Sequence, residues 1–103
     1  MSWKLVSPLD VETDIADAAA WYESHERRLG AQFVSEVRNV WRSLADNPFL
    51  NSRKHPSKPI HWRRTERFPY RVVYEVFEAE KTVLIIAVLH SARHDRQWRK
   101  RIR

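Results

Sequence analysis

The chain has no cysteine, and its 103 residues include a single glycine and a single methionine. Without thiols there is no disulfide framework and no thiolate nucleophile, and a cytoplasmic setting fits. One glycine leaves no room for a glycine-rich phosphate loop. No apolar run approaches the ~20 residues of a membrane-spanning helix, so no membrane partner is expected. The start, MSWKLVSPLDVETD, lacks the basic first residues and apolar centre of a secretory signal. No repeat or low-complexity segment is visible.

What is present describes one folded domain spanning 1–103. Hydrophobic residues make up 43% of the chain and aromatics 12%, enough for a small core and too much for a disordered segment. Charge is unevenly distributed. Residues 1–50 carry five Lys/Arg against eight acids, a net of −3, and residues 51–103 carry fourteen against five, a net of +9, which together give the total of +6. A basic half of this kind points to a polyanion or an acidic partner.

The pattern of apolar residues predicts an α+β two-layer domain. Trp3 to Ser7 alternates and reads as an N-terminal strand. Ser7-Pro8-Leu9-Asp10 announces a helix, with Ser7 as cap and Pro8 at the first turn. Val11, Ile15, Ala18, Ala19 and Tyr22 then share one helical face. The run Ser24 to Arg28 breaks that pattern. Leu29, Phe33, Val37, Val40, Trp41 and Leu44 form the stripe of a second helix, which Asp46-Asn47-Pro48 ends. The short connection predicts an antiparallel helical hairpin. Phe49 to Pro59 reads as a loop. Strands are predicted over Ile60–Thr65, Phe68–Phe77 and Val83–Leu89, joined as an antiparallel β-meander, with the last strand buried on both faces. A short basic C-terminal tail begins at Ser91. The helices cover one face of the sheet, so the other face is expected to be polar or to meet a partner.

Arginines concentrate along the predicted strands and tail. Arg63, Arg64, Arg67, Arg71, Arg93 and Arg96, with His61, His90 and His94, form a constellation suited to phosphate, because guanidinium binds it through paired hydrogen bonds. Trp62 and Trp98, interleaved with arginine, offer rings for base stacking, against the plainer reading that each fills a small core. His90 follows the buried strand and is the best-placed general acid or base for ribonuclease chemistry, against a half-buried histidine bonded to backbone. His90 and His94 have metal-compatible spacing only within a helix, and no cysteines or paired carboxylates join them; neither a metal site nor a cofactor is expected.

The helix-pair segment WYESHERRLGAQFVSEVRNVWRSLADNP, the strand FPYRVVYEV and the stretch VLIIAVLHSARHDRQWR resemble, in that order, the helical hairpin, paired strands and terminal His-x-x-R region of the RelE/ParE superfamily. That resemblance implies the toxin of a bacterial type II toxin–antitoxin system, with a cognate acidic antitoxin as partner. It also implies one of two targets: ribosome-bound mRNA, cut by RelE-like members, or DNA gyrase, poisoned by ParE-like members without nuclease residues. If the chain is a nuclease, Arg71 matches the third-strand arginine, Arg64 a second-strand basic residue and Arg93 a late arginine, with His90 as catalytic group. Arg63, Arg64, Arg67, Arg96 and Trp98 are then the target-binding set. The tyrosine that serves as base in the nuclease branch stands here as Trp98, and the FPYRVVY and VLH-x-x-R pieces look more like ParE-type sequences.

Overall fold

A computed structural model describes residues 2–92 and 96–102. Strand β1 (Lys4–Val6) leads into helix α1 (Leu9–His25) and, after a short turn, helix α2 (Leu29–Asp46). Strands β2 (Arg53–Lys54), β3 (Ile60–Arg64), β4 (Tyr70–Phe77) and β5 (Thr82–His90) follow, and one turn of helix, α3 (Arg96–Arg99), lies near the end. The expected α+β arrangement holds. The five strands form one mixed sheet in the order β1-β5-β4-β3-β2, in which β1 runs parallel to β5 and the other pairs are antiparallel. No helix among the described residues is long and apolar enough to cross a membrane.

Two local devices fix the hairpin, and neither is the predicted Ser7 cap. Pro8 takes the N-cap position of α1 with no side-chain capping bond, and the Ser7 hydroxyl donates instead to Glu12 Oε2 at 2.6 Å. That bond, with Arg38 beside it, holds the Glu12 carboxyl below the usual carboxylate range. The N-terminus of α2 is capped from α1. Glu23 accepts the Arg28 N–H through Oε2 and the Gly30 N–H through Oε1, both at 3.0 Å. An anion placed there meets otherwise unpaired amides and the positive end of the helix dipole. Gly30 is also where the helices touch: a Cβ on it would lie 2.5 Å from the Ala19 carbonyl oxygen.

The main core lies between the hairpin and the sheet. Val11, Ile15 and Tyr22 from α1 and Phe33, Val37 and Leu44 from α2 meet Val72, Tyr74, Ile85 and Val88. Tyr22, Phe33, Phe68 and Tyr70 form an aromatic group, with Tyr22–Phe68 and Phe33–Tyr70 centroids 4.8 and 4.9 Å apart. Edge-to-face rings at such spacing add to what their burial contributes.

The opposite face of the sheet corrects the expectation of a polar or partner-covered surface. It carries a second core of Ile60, Val73, Ile86, Ala87, Leu89 and Trp98, with Trp62, Leu84 and Ile102 packed against it. Strand β5 is covered on both faces and supplies both cores, and a bulge sets which residues go to each. Val73 pairs with Ala87 and Tyr74 with Ile85, so Ile86 has no partner and the inside-outside alternation is reset. Val83, Ile85 and Val88 therefore face the helices, while Leu84, Ile86, Ala87 and Leu89 face away. This is why the segment reads as unbroken apolar sequence.

Candidate target-binding surface

Arg64 and Arg71 are register partners across β3 and β4. Strand alternation places both on the sheet face of the second core, since their neighbours Arg63 and Tyr70 turn towards the helices. Like charges directly opposite each other destabilise a sheet. The pair brings two guanidinium groups, each able to bond an anion or another acceptor, to one place on that face.

Among the described residues, Arg63, Arg67, Trp98, His61 and His90 take other places. Arg63 is only 7% exposed and points the other way, against α2. Its guanidinium donates to the Ser43 hydroxyl and to the carbonyl oxygens of Asn47 and Leu50. It ties the chain leaving α2 to the sheet, which is a structural assignment in place of a target contact. Arg67 sits in the β3–β4 turn and is also held by α2. Its backbone N–H donates to Glu36 Oε1 at 2.7 Å, its Nη2 donates to Gln32 Oε1 at 2.6 Å, and its Nε lies 3.7 Å from Glu36 Oε2.

Trp98 is 1% exposed and its ring fills the second core, with the His55 ring edge-on at 5.9 Å. The expected base stacking is corrected: no face of the indole is free. Arg93 and His94 lie outside the described residues, as does the side chain of Arg96.

His90 pairs with Tyr70, their rings edge to face at 5.4 Å, so it lies on the helix side of the sheet. Arg71 pairs with the adjacent Leu89 and lies on the other side. The His90 Nδ1 accepts the Ala92 N–H at 3.0 Å, so the neutral ring carries its proton on Nε2 and its basic nitrogen is already occupied. The histidine and the arginine pair therefore do not converge on one reacting atom, which is what acid–base catalysis at a phosphate would require. His61 is likewise turned to the helix side, stacked on Tyr74 with centroids 5.7 Å apart and edge-on to Phe49 at 5.8 Å. Burial, then nearby Lys54, lowers its pKa below 6.5. Among the described residues no group of three His, Asp or Glu side chains is placed to hold a metal ion.

A cleft of about 470 Å³ opens beside this surface, between α2 and the outer edge of β3. Glu36, Asn39, Val40 and Ser43 form its helical wall, and Arg53, Trp62 and Arg64 its strand wall. Arg53 was missed by pattern reading because β2 is two residues long, too short for any periodicity. The basic pair Arg53-Lys54, in a loop that carries Lys58 as well and no acid, was the available signal.

Two helices packed on a five-stranded mixed sheet, with arginines on the opposite face, define the class of small α+β toxins. Residues 9–95 match the family described as ParE toxin of type II toxin-antitoxin system, parDE, and the chain belongs to that family. No curated protein matches it. Solved structures share the fold at low identity. A variant of the Escherichia coli toxin RelE with two arginines changed to alanine, in the free state, is 14% identical with a TM-score of 0.67, covering 100% of both chains. Isolated E. coli RelE is 15% identical with a TM-score of 0.66, covering 91% of this chain and 89% of that one. The RelBE2 toxin–antitoxin complex of Mycobacterium tuberculosis is 14% identical with a TM-score of 0.62, covering 87% of this chain and 99% of that one.

Proposed function

We propose that this toxin inhibits growth by binding a target, DNA gyrase, without cutting RNA, and that an acidic antitoxin holds it silent. The observation that carries the reading is the opposed placement of His90 and the Arg64–Arg71 pair on the two faces of the sheet. Trp98, on the arginine side, is an indole that accepts no proton, and its ring is buried. The family match to ParE toxins supports the same reading. Arg64 and Arg71 then serve as contact residues, reaching acceptors on the target surface through charge-assisted hydrogen bonds.

The second reading, a ribosome-dependent mRNA endonuclease, draws on the same arginine pair, which suits a phosphate, and on the shared fold with RelE. The two readings separate in one experiment. After brief induction, mRNA 5′ ends are mapped, and purified protein is added to a gyrase supercoiling assay. Blocked supercoiling with intact mRNA is the expected result. Codon-phased cuts that vanish in His90→Ala would overturn it, and silence in both assays would sink both targets.

A further inference from the structure

The β2–β3 loop and the end of the chain meet through one ring. His55 stands edge-on to Trp98 at 5.9 Å, and the Arg99 guanidinium lies 5.6 Å from the centre of the same indole. The two segments joined in this way carry Arg53, Lys54, Lys58, Arg99 and Lys100. All are exposed except Lys58, which is half-buried. None of them belongs to the Arg64–Arg71 pair.

The loop holds its charges in fixed places. The His55 N–H donates to the Ile60 carbonyl at 2.8 Å and closes the loop at its base. The His55 Nδ1 accepts the N–H groups of Ser57 and Lys58 at 3.1 and 3.2 Å. The Lys54 ammonium donates to the carbonyl oxygens of His55 and Lys58, each at 3.3 Å, so it spans the loop and its charge stays at that edge. Pro56 and Pro59 restrict the backbone further. Groups ordered in advance cost less to order on binding.

Acids are scarce here. Residues 51–65 contain five Lys/Arg and no Asp or Glu. Among the described residues Arg53, Lys54, Lys58 and Lys100 have no carboxylate partner, whereas Arg38, Arg67 and Arg101 each have one. Glu75, the register partner of Ile60, is turned to the second core between Ile60 and Leu84. Clustered cations repel one another, and a polyanion relieves that repulsion.

The rings choose among polyanions. Trp98 is 1% exposed, and His55 is pinned between its own loop and Trp98. Neither offers a face to a base, and stacking on such faces is how proteins grip single strands. Cations without a stacking platform match the phosphate backbone of a duplex.

We infer that the β2–β3 loop and the end of the chain form a second electropositive surface, which binds the phosphate backbone of duplex DNA. Arg53 pairs with Trp62 and so shares the sheet face of Arg64 and Arg71. A toxin seated on gyrase through those two arginines then lays this surface on the duplex that gyrase holds, a step that rests on the gyrase reading.

The test is fluorescence anisotropy of a labelled DNA duplex with the purified chain across a range of salt concentrations. Lys58→Glu and Lys100→Glu, one from each segment, are compared with the parent after circular dichroism confirms folding. Binding that falls steeply with salt is expected, with a loss of at least about fivefold in each variant at 0.1 M salt. No duplex binding at low salt, or equal affinity in the parent and both folded variants, would overturn the proposal. So would tighter binding of a single strand or of an RNA duplex of the same sequence. A gyrase supercoiling assay runs alongside, and weaker inhibition by both variants is expected. Undiminished inhibition by variants that no longer bind the duplex would overturn the placement on gyrase-bound DNA. Charge-dependent duplex binding by a parent chain that leaves gyrase unaffected would uphold the DNA surface and remove the gyrase reading alone.

Discussion

Asp14 and Arg101, 87 residues apart in sequence, form a bidentate ion pair with Nη1–Oδ2 and Nη2–Oδ1 distances of 2.7 and 2.9 Å. The pair seals a sheet edge. β1 covers only residues 82–84 of β5, which leaves the later half of that strand without a neighbour on one side. Asp14 Oδ2 accepts the Val88 N–H at 3.1 Å, and Arg101 Nη1 donates to the Ile86 carbonyl at 2.9 Å. Asp10 adds a second carboxylate 3.2 Å from the Arg101 Nε. Polar backbone groups that would otherwise invite another strand are satisfied, and the tail bearing Trp98 is fastened to α1.

Removing either partner leaves backbone groups and a charge unsatisfied in a mostly buried place. Asp14→Ala and Arg101→Ala are each expected to lower stability by about 1–3 kcal/mol, the cost of orphaning such groups. The urea midpoint measures the loss. Faster exchange of the Val88 amide localises it, and an unchanged Val88 rate would contradict the sealing role.

Gly30→Ala should destabilise although alanine is the better helix former by about 1 kcal/mol. The added methyl would sit 2.5 Å from the Ala19 carbonyl and 3.1 Å from the Glu23 Cβ, so the helices must part. Overpacking of this kind costs about 1–3 kcal/mol. For a domain of this size each kcal/mol is worth roughly 4–8 °C of Tm. A variant melting at or above the parent would show that the hairpin yields freely.

His61 makes stability depend on pH. Burial first, and Lys54 second, hold its pKa below the ordinary 6.5. As pH falls through 6.5 the unfolded chain takes up a proton that the folded chain refuses. Stability attributable to this ring is therefore complete above about pH 6.5 and declines as pH drops towards the lowered folded value. His61→Phe keeps a ring on Tyr74 and should flatten the fall in stability between about pH 7 and 5 relative to the parent. Parallel curves for the two proteins would show that the imidazole is not the titrating group.

The architecture was legible because its elements are long and strongly periodic. The stripe from Leu29 to Leu44 faces the core, and Tyr70, Val72, Tyr74 and Val76 share the helix-side face as read, while Val73 is buried on the other. What was not legible depends on contacts distant in sequence. Nothing near Arg101 announces Asp14, and nothing near Gly30 announces the Ala19 carbonyl. Burial of β5 on both faces was legible, but the bulge at Ile86 hid which residues face which core, since a one-residue slip swaps faces without changing composition. The sequence left Trp98 open between a stacking ring and a core filler, because a four-residue helix has too little sequence to show which way it packs.

Trp98→Ala should be among the most damaging single changes. The ring is almost fully enclosed by the second core, and truncating a buried tryptophan costs about 3–5 kcal/mol. Chemical unfolding measures this. Trp98→Tyr should retain the fold with a smaller loss and confer no mRNA cleavage, because the new hydroxyl would enter the core and not the arginine surface. Codon-phased cleavage by that variant would show that the tail can turn the residue outward.

Arg63 and Arg64, adjacent in sequence, should respond in opposite ways to the same change. Arg63 is buried and gives its guanidinium to three acceptors on the segment leaving α2, so Arg63→Ala leaves Ser43, Asn47 and Leu50 without a donor. A loss of about 2–4 kcal/mol follows from several charge-assisted bonds at about 1.5–3 kcal/mol each, offset by relaxation and water. Arg64 is exposed and has no ion-pair partner among the described residues, so Arg64→Ala should shift stability by no more than about 0.5 kcal/mol. Toxicity separates the two further. Arg64→Ala should relieve growth inhibition at unchanged levels of folded protein, whereas any relief by Arg63→Ala should follow the amount that remains folded. Growth curves paired with thermal melts of the purified variants make the comparison. If Arg64→Ala left growth inhibition intact at unchanged levels of folded protein, Arg64 would have no part in target binding.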